Sequence, residues 1–278
     1  MTHTPTRIRA LLAEHGLEPS RALGQNFVAD PNTVRRIVRL AHVGPGDRVL
    51  EIGAGLGSLT LALLEAGADV TAVELDRHLV PILRAEAEPA GARVVHADAM
   101  TLDWDALLGD PPWVLVANLP YNIATPLVLD LLAGVPQIER MLVMVQLEVG
   151  ERLAAVPGSK AYGIPSVKVA WWADATVIGK VSPTVFVPPP RVDSALVEIT
   201  RRPPAGDDAT REAVFALVEA GFNQRRKMLR RSLADRVAPG AFAAADIRPE
   251  ARAEELTLAD WLRLTAAVGA GPTVPGRG

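Results

Sequence analysis

The chain is predicted to fold as an α/β protein: a mostly parallel seven-stranded sheet, its last strand antiparallel, followed by a small all-α domain. Three observations predict it. From about residue 48 to residue 146, short apolar runs alternate with amphipathic helical patterns, as parallel strands joined by crossover helices require. Two more strand patterns, 175–181 and 194–200, are separated only by the proline-rich SPTVFVPPPRVD. With no helix to carry the chain back, they are expected to pair antiparallel. Beyond RRPPAGDD (201–208), whose composition marks a boundary, the apolar spacing is helical over 209–266.

Taken in order, residues 6–15 read as a short amphipathic helix with Thr6 as N-cap and Gly16 as its stop. Asp30-Pro31 opens the next helix as a cap followed by proline in the first turn, and Val34, Ile37, Val38 and Ala41 mark its buried face. The strands are RVLEI (48–52), DVTAVEL (69–75), ARVVH (92–96), WVLVAN (113–118) and RMLVMVQ (140–146). Helices are read at SLTLALLEAG (58–67), HLVPILRAEAE (78–88) and 125–133. The expected organisation is an N-terminal helical extension (1–19), an α/β domain (20–202), a helical domain (207–266) and a disordered tail (267–278).

Composition excludes several classes. At 278 residues and 49% hydrophobic, the chain can bury one large core and a smaller one. No apolar run is long enough to span a membrane, and the N-terminus lacks a signal core. Cysteine is absent and the five histidines are scattered, so neither disulfides nor a metal site is expected. These features fit a soluble cytoplasmic protein. The net charge of −3 hides an asymmetry: RRKMLRRSLADR (225–236) holds six basic residues and one acidic. A polyanion responds to that placement rather than to the sum.

The chemistry gathers at four strand ends. Gly53, Gly55 and Gly57 lie between the first strand and its helix, where glycine permits positive φ and close backbone approach to a ligand. Taken alone, this spacing also suits a tight structural turn. Glu74 closes the second strand about twenty residues on, the place of a ribose-binding carboxylate. Asp98 ends the third, where it could accept an adenine amine, and Asn118 ends the fourth. Each acid could instead cap a turn, and a ribose acid suits NAD equally well. No phosphate cradle accompanies these glycines, however.

Asn118-Leu119-Pro120-Tyr121 carries the most specific proposal. An exocyclic adenine amine is a poor nucleophile because its lone pair is delocalised into the ring. Two acceptors on its N–H groups, the Asn118 side-chain oxygen and the Leu119 carbonyl, would push the nitrogen towards a tetrahedral form. Pro120 would fix that carbonyl, and Tyr121 would stack on the base. The bland alternative is a strand-ending turn with a half-buried tyrosine.

NLPY together with EIGAGLG and VELD resembles the adenine-N6 dimethyltransferases of ribosomal RNA. The resemblance implies a Rossmann-like, S-adenosyl-L-methionine-dependent methyltransferase fold and that cofactor. LGQNFVAD is similar to the family's cofactor-lid segment, implying that Gln25, Asn26 and the Val28 backbone lie near the methionine part. Cofactor contacts implied elsewhere are Gly53, Gly55, Glu74, Leu75, Asp98, Ala99 and Asn118. FVPPPRVDS (186–194) resembles the F-x-P-x-P-x-V-x-S loop, which makes Phe186 the second ring of a clamp with Tyr121, stiffened by Pro188 and Pro190. Phe186 could also be a plain hydrophobic anchor. GFNQRRKMLRRSL (221–233) resembles the small-subunit (16S) branch, which dimethylates two adjacent adenosines in the 3′-terminal hairpin. Val28 stands where leucine is usual, Ala54 where proline is, and Ile164-Pro165 where arginine-leucine is, which leaves any role for that last pair open.

On a single helix, Phe215, Val218, Phe222, Leu229 and Leu233 would share one side, with Arg226/Arg230 and Lys227/Arg231 as a stripe beside it. Arg225, Arg226, Lys227, Arg230 and Arg231 are therefore the expected RNA-phosphate contacts, with Arg35, Arg36 and Arg39 as a smaller cluster. The implied partner is 16S rRNA within the 30S subunit, bound by a monomer with a role in subunit biogenesis. The alternatives are a 23S rRNA dimethyltransferase of the macrolide-resistance type, a DNA adenine methyltransferase, and an assembly factor for which methylation is secondary.

Overall fold

A computed structural model of the chain describes residues 2–110 and 112–269. The elements in order are α1 (Pro5–Glu14), β1 (Phe27–Val28), α2 (Pro31–Ala41), β2 (Arg48–Ile52), α3 (Ser58–Glu65), β3 (Asp69–Glu74), α4 (Val80–Ala87), β4 (Arg93–His96), α5 (Trp104–Leu108), β5 (Trp113–Asn118), α6 (Ala124–Gly134) and β6 (Ile138–Gln146). They continue with α7 (Leu147–Leu153), α8 (Ile164–Trp172), β7 (Ala173–Val181), β8 (Phe186–Val187), β9 (Ser194–Arg201), α9 (Asp208–Asn223), α10 (Leu229–Ser232), α11 (Pro239–Ala244) and α12 (Leu258–Gly269). The chain divides into two compact units, residues 1–151 with 175–201 and residues 152–174 with 202–278.

The first unit is built on a seven-stranded sheet in the order β4-β3-β2-β5-β6-β9-β7. Strands β2 to β6 pair parallel, and β9 runs antiparallel to β6 from Arg140↔Thr200 to Gln146↔Ser194. The order reverses between β2 and β5, the switch point at which open α/β sheets bind ligands beyond the strand ends. Asp30 caps α2 by accepting from the Asn32 and Thr33 amides, and Val34, Ile37, Val38 and Ala41 are the buried residues of that helix. At α1 the cap is Thr4, not Thr6: its hydroxyl accepts from Arg7 N and Pro5 takes the first turn. The unit also has a small sheet beside the large one, in which β1 pairs antiparallel with β8 (Phe27↔Val187, Val28↔Phe186).

The chain departs from the expected boundaries in three places. Residues 5–14 are not a separate extension; α1 belongs to the first unit, and Ile8, Leu11 and Leu12 pack with Phe27, Leu56 and Leu79. Residues 152–174, expected in the α/β domain, group with the C-terminal helices. Pro165 sits in the first turn of α8, where the missing N–H costs nothing, and the Gly163 amide donates to Ser166 Oγ over 3.1 Å. The Ile164-Pro165 pair is thus a helix start. Finally, α12 runs to Gly269, so 267–269 are helical and the rest of the expected tail lies outside the described residues.

The second unit is not helical throughout 209–266, because α9 stops at Asn223 and α10 begins only at Leu229. Between them Gln224–Lys227 form a turn, and Met228 pairs with Arg252 in an isolated bridge. The expected continuous basic helix is therefore two helices and a turn. Its core is aromatic: Trp171 meets Phe215 edge-on at 5.6 Å, and Trp261 is fully buried against Gly221. A Cβ at Gly221 would lie 2.8 Å from the Trp261 ring, so the glycine of GFNQRR is a packing requirement.

Candidate active site

Beyond the carboxyl ends of β2, β3, β4 and β5 lies a mostly apolar cavity of about 210 Å³, far above the roughly 30 Å³ share of one water. Its wall includes Gln25, Asn26, Val28, Gly53, Gly55, Glu74, Leu75, Asp98, Ala99, Asn118, Leu119, Pro120 and Tyr121. Every residue expected to touch the cofactor or the base is there except Phe186.

The glycine turn is built as its φ values demand. Gly53, Gly55 and Gly57 have φ of 73°, 59° and 86°, a region L side chains avoid. At Gly55 a Cβ would also come within 3.0 Å of the Phe27 ring. The turn is held by Glu74, whose Oε2 accepts from Gly55 N at 2.7 Å and Oε1 from Asp76 N at 2.8 Å. A carboxylate has about four acceptor positions, so each oxygen keeps one free for a diol. Burial raises the Glu74 pKa, against the backbone N–H groups that lower it.

Asp98 forms the turn that the sequence allowed. Its Oδ1 accepts from Met100 N at 2.9 Å, a turn-forming bond, while the carboxylate remains on the cavity wall. Leu75 is 46% exposed and Met100 38%, large apolar side chains left open at the same edge. Such exposure is what a flat apolar ligand would cover.

The lid segment folds onto NLPY. Gly24 approaches Pro120 and the Tyr121 amide, and the Asn118 Nδ2 donates to the Asn26 carbonyl over 3.0 Å. Gln25 links Ser20 N (2.7 Å, as acceptor) to Asp76 Oδ2 (2.7 Å, as donor), which fixes the segment against the loop after β3. Asn118 Oδ1, by contrast, is buried with no hydrogen-bond partner. Buried polar atoms without partners are rare, and one that belongs to a cavity wall is a candidate ligand contact. Leu119 N donates to Met144 O at 3.0 Å, which ties the backbone of the second acceptor to β6. The Tyr121 hydroxyl lies 2.6 Å from Ser194 Oγ.

Phe186 is placed differently from the clamp expectation. It is 3% exposed and packs in the core with Val28, Val34, Ile37 and Leu196, on the strand pair β1–β8. The reason is the alternation of a strand: Phe186 turns into this core, while the next residue, Val187, packs against the cluster of Ile8, Leu11 and Phe27. Its position is that of the hydrophobic anchor.

The expected RNA contacts also divide. Arg225 Nε donates to Glu254 Oε2 at 2.7 Å and its other arm to the Lys160 carbonyl, while Arg230 pairs with Glu250 at 3.2 Å. Among the described residues Arg226, Lys227 and Arg231 are exposed and form no ion pair.

Of the wall residues that sequence reasoning missed, Ile8 and Glu51 are the instructive ones. Ile8 comes from α1, and no local pattern marks it. Glu51 is 2% exposed inside β2, takes a hydrogen bond from Thr60 Oγ1 at 2.5 Å, and burial pushes its pKa up to about 8. The signal was present: a carboxylate in the middle of the apolar strand RVLEI needs a reason to be there. Among the described residues no cluster of His, Asp or Glu could hold a metal ion, and no helix is long and apolar enough to cross a membrane.

A glycine turn, two strand-end acids and an orphaned amide oxygen around one apolar cavity, on this sheet order, define a Rossmann-like S-adenosyl-L-methionine-dependent methyltransferase. The cofactor fits the donor set: Glu74 for a ribose diol, Asp98 for an amine, Leu75 and Met100 for a flat base. A family model described as ribosomal RNA adenine dimethylase matches residues 18–268, and the chain belongs to that family. A protein of Thermobifida fusca (strain YX) named "Ribosomal RNA small subunit methyltransferase A" is 52% identical over 94% of each chain. One of the same name from Cutibacterium acnes is 50% identical, covering 95% of this chain and 93% of its own. Among solved structures, the 23S rRNA methyltransferase ErmE aligns with a TM-score of 0.70 at 28% identity, over 88% of this chain and all of that one. A dimethyladenosine transferase from Plasmodium falciparum shares the fold, with a TM-score of 0.72 at 24% identity over 86% of this chain and 95% of its own.

Proposed function

We propose that this chain transfers methyl groups from S-adenosyl-L-methionine to N6 of two adjacent adenosines in the 3′-terminal hairpin of 16S rRNA. The substrate is the hairpin within the small (30S) subunit. The enzyme works as a monomer in the cytoplasm and contributes to subunit biogenesis. The observation that carries the reading is the orphaned Asn118 Oδ1. The Nδ2 of the same amide donates to the Asn26 carbonyl and Asn118 lies on the cavity wall, which supports reading the oxygen as a fixed acceptor for the base.

The bound cofactor supplies an electrophilic methyl group. Glu74 and Asp98 would hold its polar edges, the glycine turn would let it approach the backbone, and Gln25, Asn26 and Val28, on the same cavity wall, would lie beside it. Asn118 Oδ1 and the Leu119 carbonyl accept hydrogen bonds from the two N6–H groups, and the nitrogen lone pair is thereby freed from the ring. These dipoles are set before the base arrives, so little reorganisation accompanies the step. Tyr121 offers a face to the flipped adenine, and Phe186 anchors the loop beside it rather than clamping the second face. No carboxylate acts as base, because the alkylated ammonium sheds its proton to water. Arg226, Lys227 and Arg231 hold phosphates.

Identity near 50% along almost the whole chain to small-subunit methyltransferases, against 28% to the 23S enzyme, favours the small subunit. The test is incubation of the purified protein with undermethylated small subunits and radiolabelled cofactor, with large-subunit RNA as the second arm. Label in two neighbouring adenosines of the 3′-terminal hairpin is expected. Label in large-subunit RNA alone would overturn the reading. An assembly role is separated by comparing Asn118→Ala with a deletion, since only the deletion removes binding.

A further inference from the structure

Strand β9 is apolar along its buried length: Ala195, Leu196, Val197 and Ile199 are all fully buried. At its first position, equally buried, stands Ser194. A hydroxyl there is unfavourable relative to an apolar residue unless it finds a partner. The partner it finds is the Tyr121 hydroxyl, 73 residues away in sequence and 2.6 Å away in space. The serine itself is rigidly held. It stands opposite Gln146 in the β6–β9 ladder, and the carbonyl of the preceding Asp193 accepts from Leu147 N at 2.9 Å.

Tyr121 lies outside the strand ladder. It follows Pro120 in a turn, is only partly buried, and precedes the exposed Asn122. A ring in that setting can swing about χ1 and rotate about χ2, and χ2 is a broad torsion. Anchoring the phenol oxygen removes the swing and fixes the direction of the ring axis. Burial raises the Tyr121 pKa, so the phenol keeps its proton and the contact is a neutral hydrogen bond.

We propose that Ser194 is a positioning residue that holds the axis of the Tyr121 ring, and so the place at which its face meets the adenine, without itself touching base or cofactor. The inference rests on the reading of Tyr121 as the platform for the base. It explains why the F-x-P-x-P-x-V-x-S loop ends in a hydroxyl: the loop delivers a tether to the platform as well as an anchor, Phe186, to the core.

The experiment is a double-mutant cycle on single-turnover methylation of small subunits, with S-adenosyl-L-methionine affinity measured alongside. Ser194→Ala and Tyr121→Phe remove the same bond from opposite ends, and the second leaves the packing of β9 untouched. Each is expected to slow methylation roughly tenfold, within the loss known for small misplacements, with cofactor affinity unchanged. The double variant should be no slower than either single one. Losses that multiply to about a hundredfold, a silent Ser194→Ala, or a parallel drop in cofactor affinity would each overturn the proposal. Tyr121→Ala separates the two readings. If it leaves the rate unchanged the platform itself is gone, whereas a slow Tyr121→Ala with a silent Ser194→Ala removes only the tether.

Discussion

The side-chain amide of Asn118 donates from Nδ2 to the main-chain carbonyl of Asn26 across 3.0 Å, and its Oδ1 is left buried and unpaired. The bond settles which way the amide points, because a flipped side chain would set two oxygens face to face. It also joins the lid segment to the residue that receives the substrate amine. Asn118→Ala is expected to lower single-turnover methylation by about 10²–10³, the usual effect of losing a preset dipole. Cofactor affinity, read by calorimetry, should remain measurable. Full turnover on small subunits would refute the mechanism.

Glu74 separates binding from chemistry in the opposite sense. Both of its oxygens hold backbone amides, of Gly55 and Asp76, and the residue lies on the cavity wall. Glu74→Gln keeps one acceptor and replaces the other with a donor aimed at an N–H. Cofactor affinity should fall about tenfold or more, the worth of one charge-assisted hydrogen bond. The rate at saturating cofactor should change less than the affinity, and a titration of both against cofactor concentration checks it.

Much of this site was legible in the chain. Glycine, acid, acid and amide at successive strand ends locate a crevice because parallel strands deliver their carboxyl ends to one edge. Asp30-Pro31 gave a helix start correct to the residue. Long-range facts were not legible. Ile8 reaches the cavity only because α1 packs on the glycine turn. The basic run looked like one helix because its apolar spacing is helical, but the Met228–Arg252 bridge and the Arg225–Glu254 pair break it, and both are tertiary. Phe186 was misplaced for a related reason: a motif names a residue type without saying which side of a two-residue strand it faces.

Glu51 yields a pH prediction. Its folded-state pKa is raised to about 8 by burial, above the 4.5 of a free side chain. Between these values the unfolded chain has released a proton that the folded chain retains, so stability falls as pH rises through that window. Glu51→Gln removes the titration and can still accept from Thr60. Its melting temperature relative to the parent should therefore climb from about pH 4.5 to about pH 8 and then level off. A difference independent of pH would show that Glu51 is ionised in the folded protein.

The basic segment divides into two kinds of residue. Arg226, Lys227 and Arg231 are exposed, and replacing each by alanine should weaken binding to small subunits and lower the salt slope by roughly 1 per cation. Melting should barely move. Arg225 is tied to Glu254 and to the Lys160 carbonyl, so Arg225→Ala should cost stability of the second unit as well as any RNA affinity. Salt-dependent binding isotherms beside thermal melts distinguish the two.

Phe186 gives the sharpest contrast between a ring that touches substrate and a ring that fills a core. Phe186 packs with Val28, Ile37 and Leu196 at 3% exposure, so truncation to alanine should cost about 3–5 kcal/mol of stability. The informative change is Phe186→Leu, which keeps most of the volume and no aromatic face. If the ring anchors the loop, this variant loses about 1.5 kcal/mol or less and methylates at close to the parental rate. If it stacks on adenine, the same variant melts normally and methylates poorly, since base–aromatic stacking contributes about 1–3 kcal/mol. The structure predicts the first outcome: β8 is held by β1, and turning Phe186 outward would pull Val28 and the whole lid segment away from the cofactor cavity.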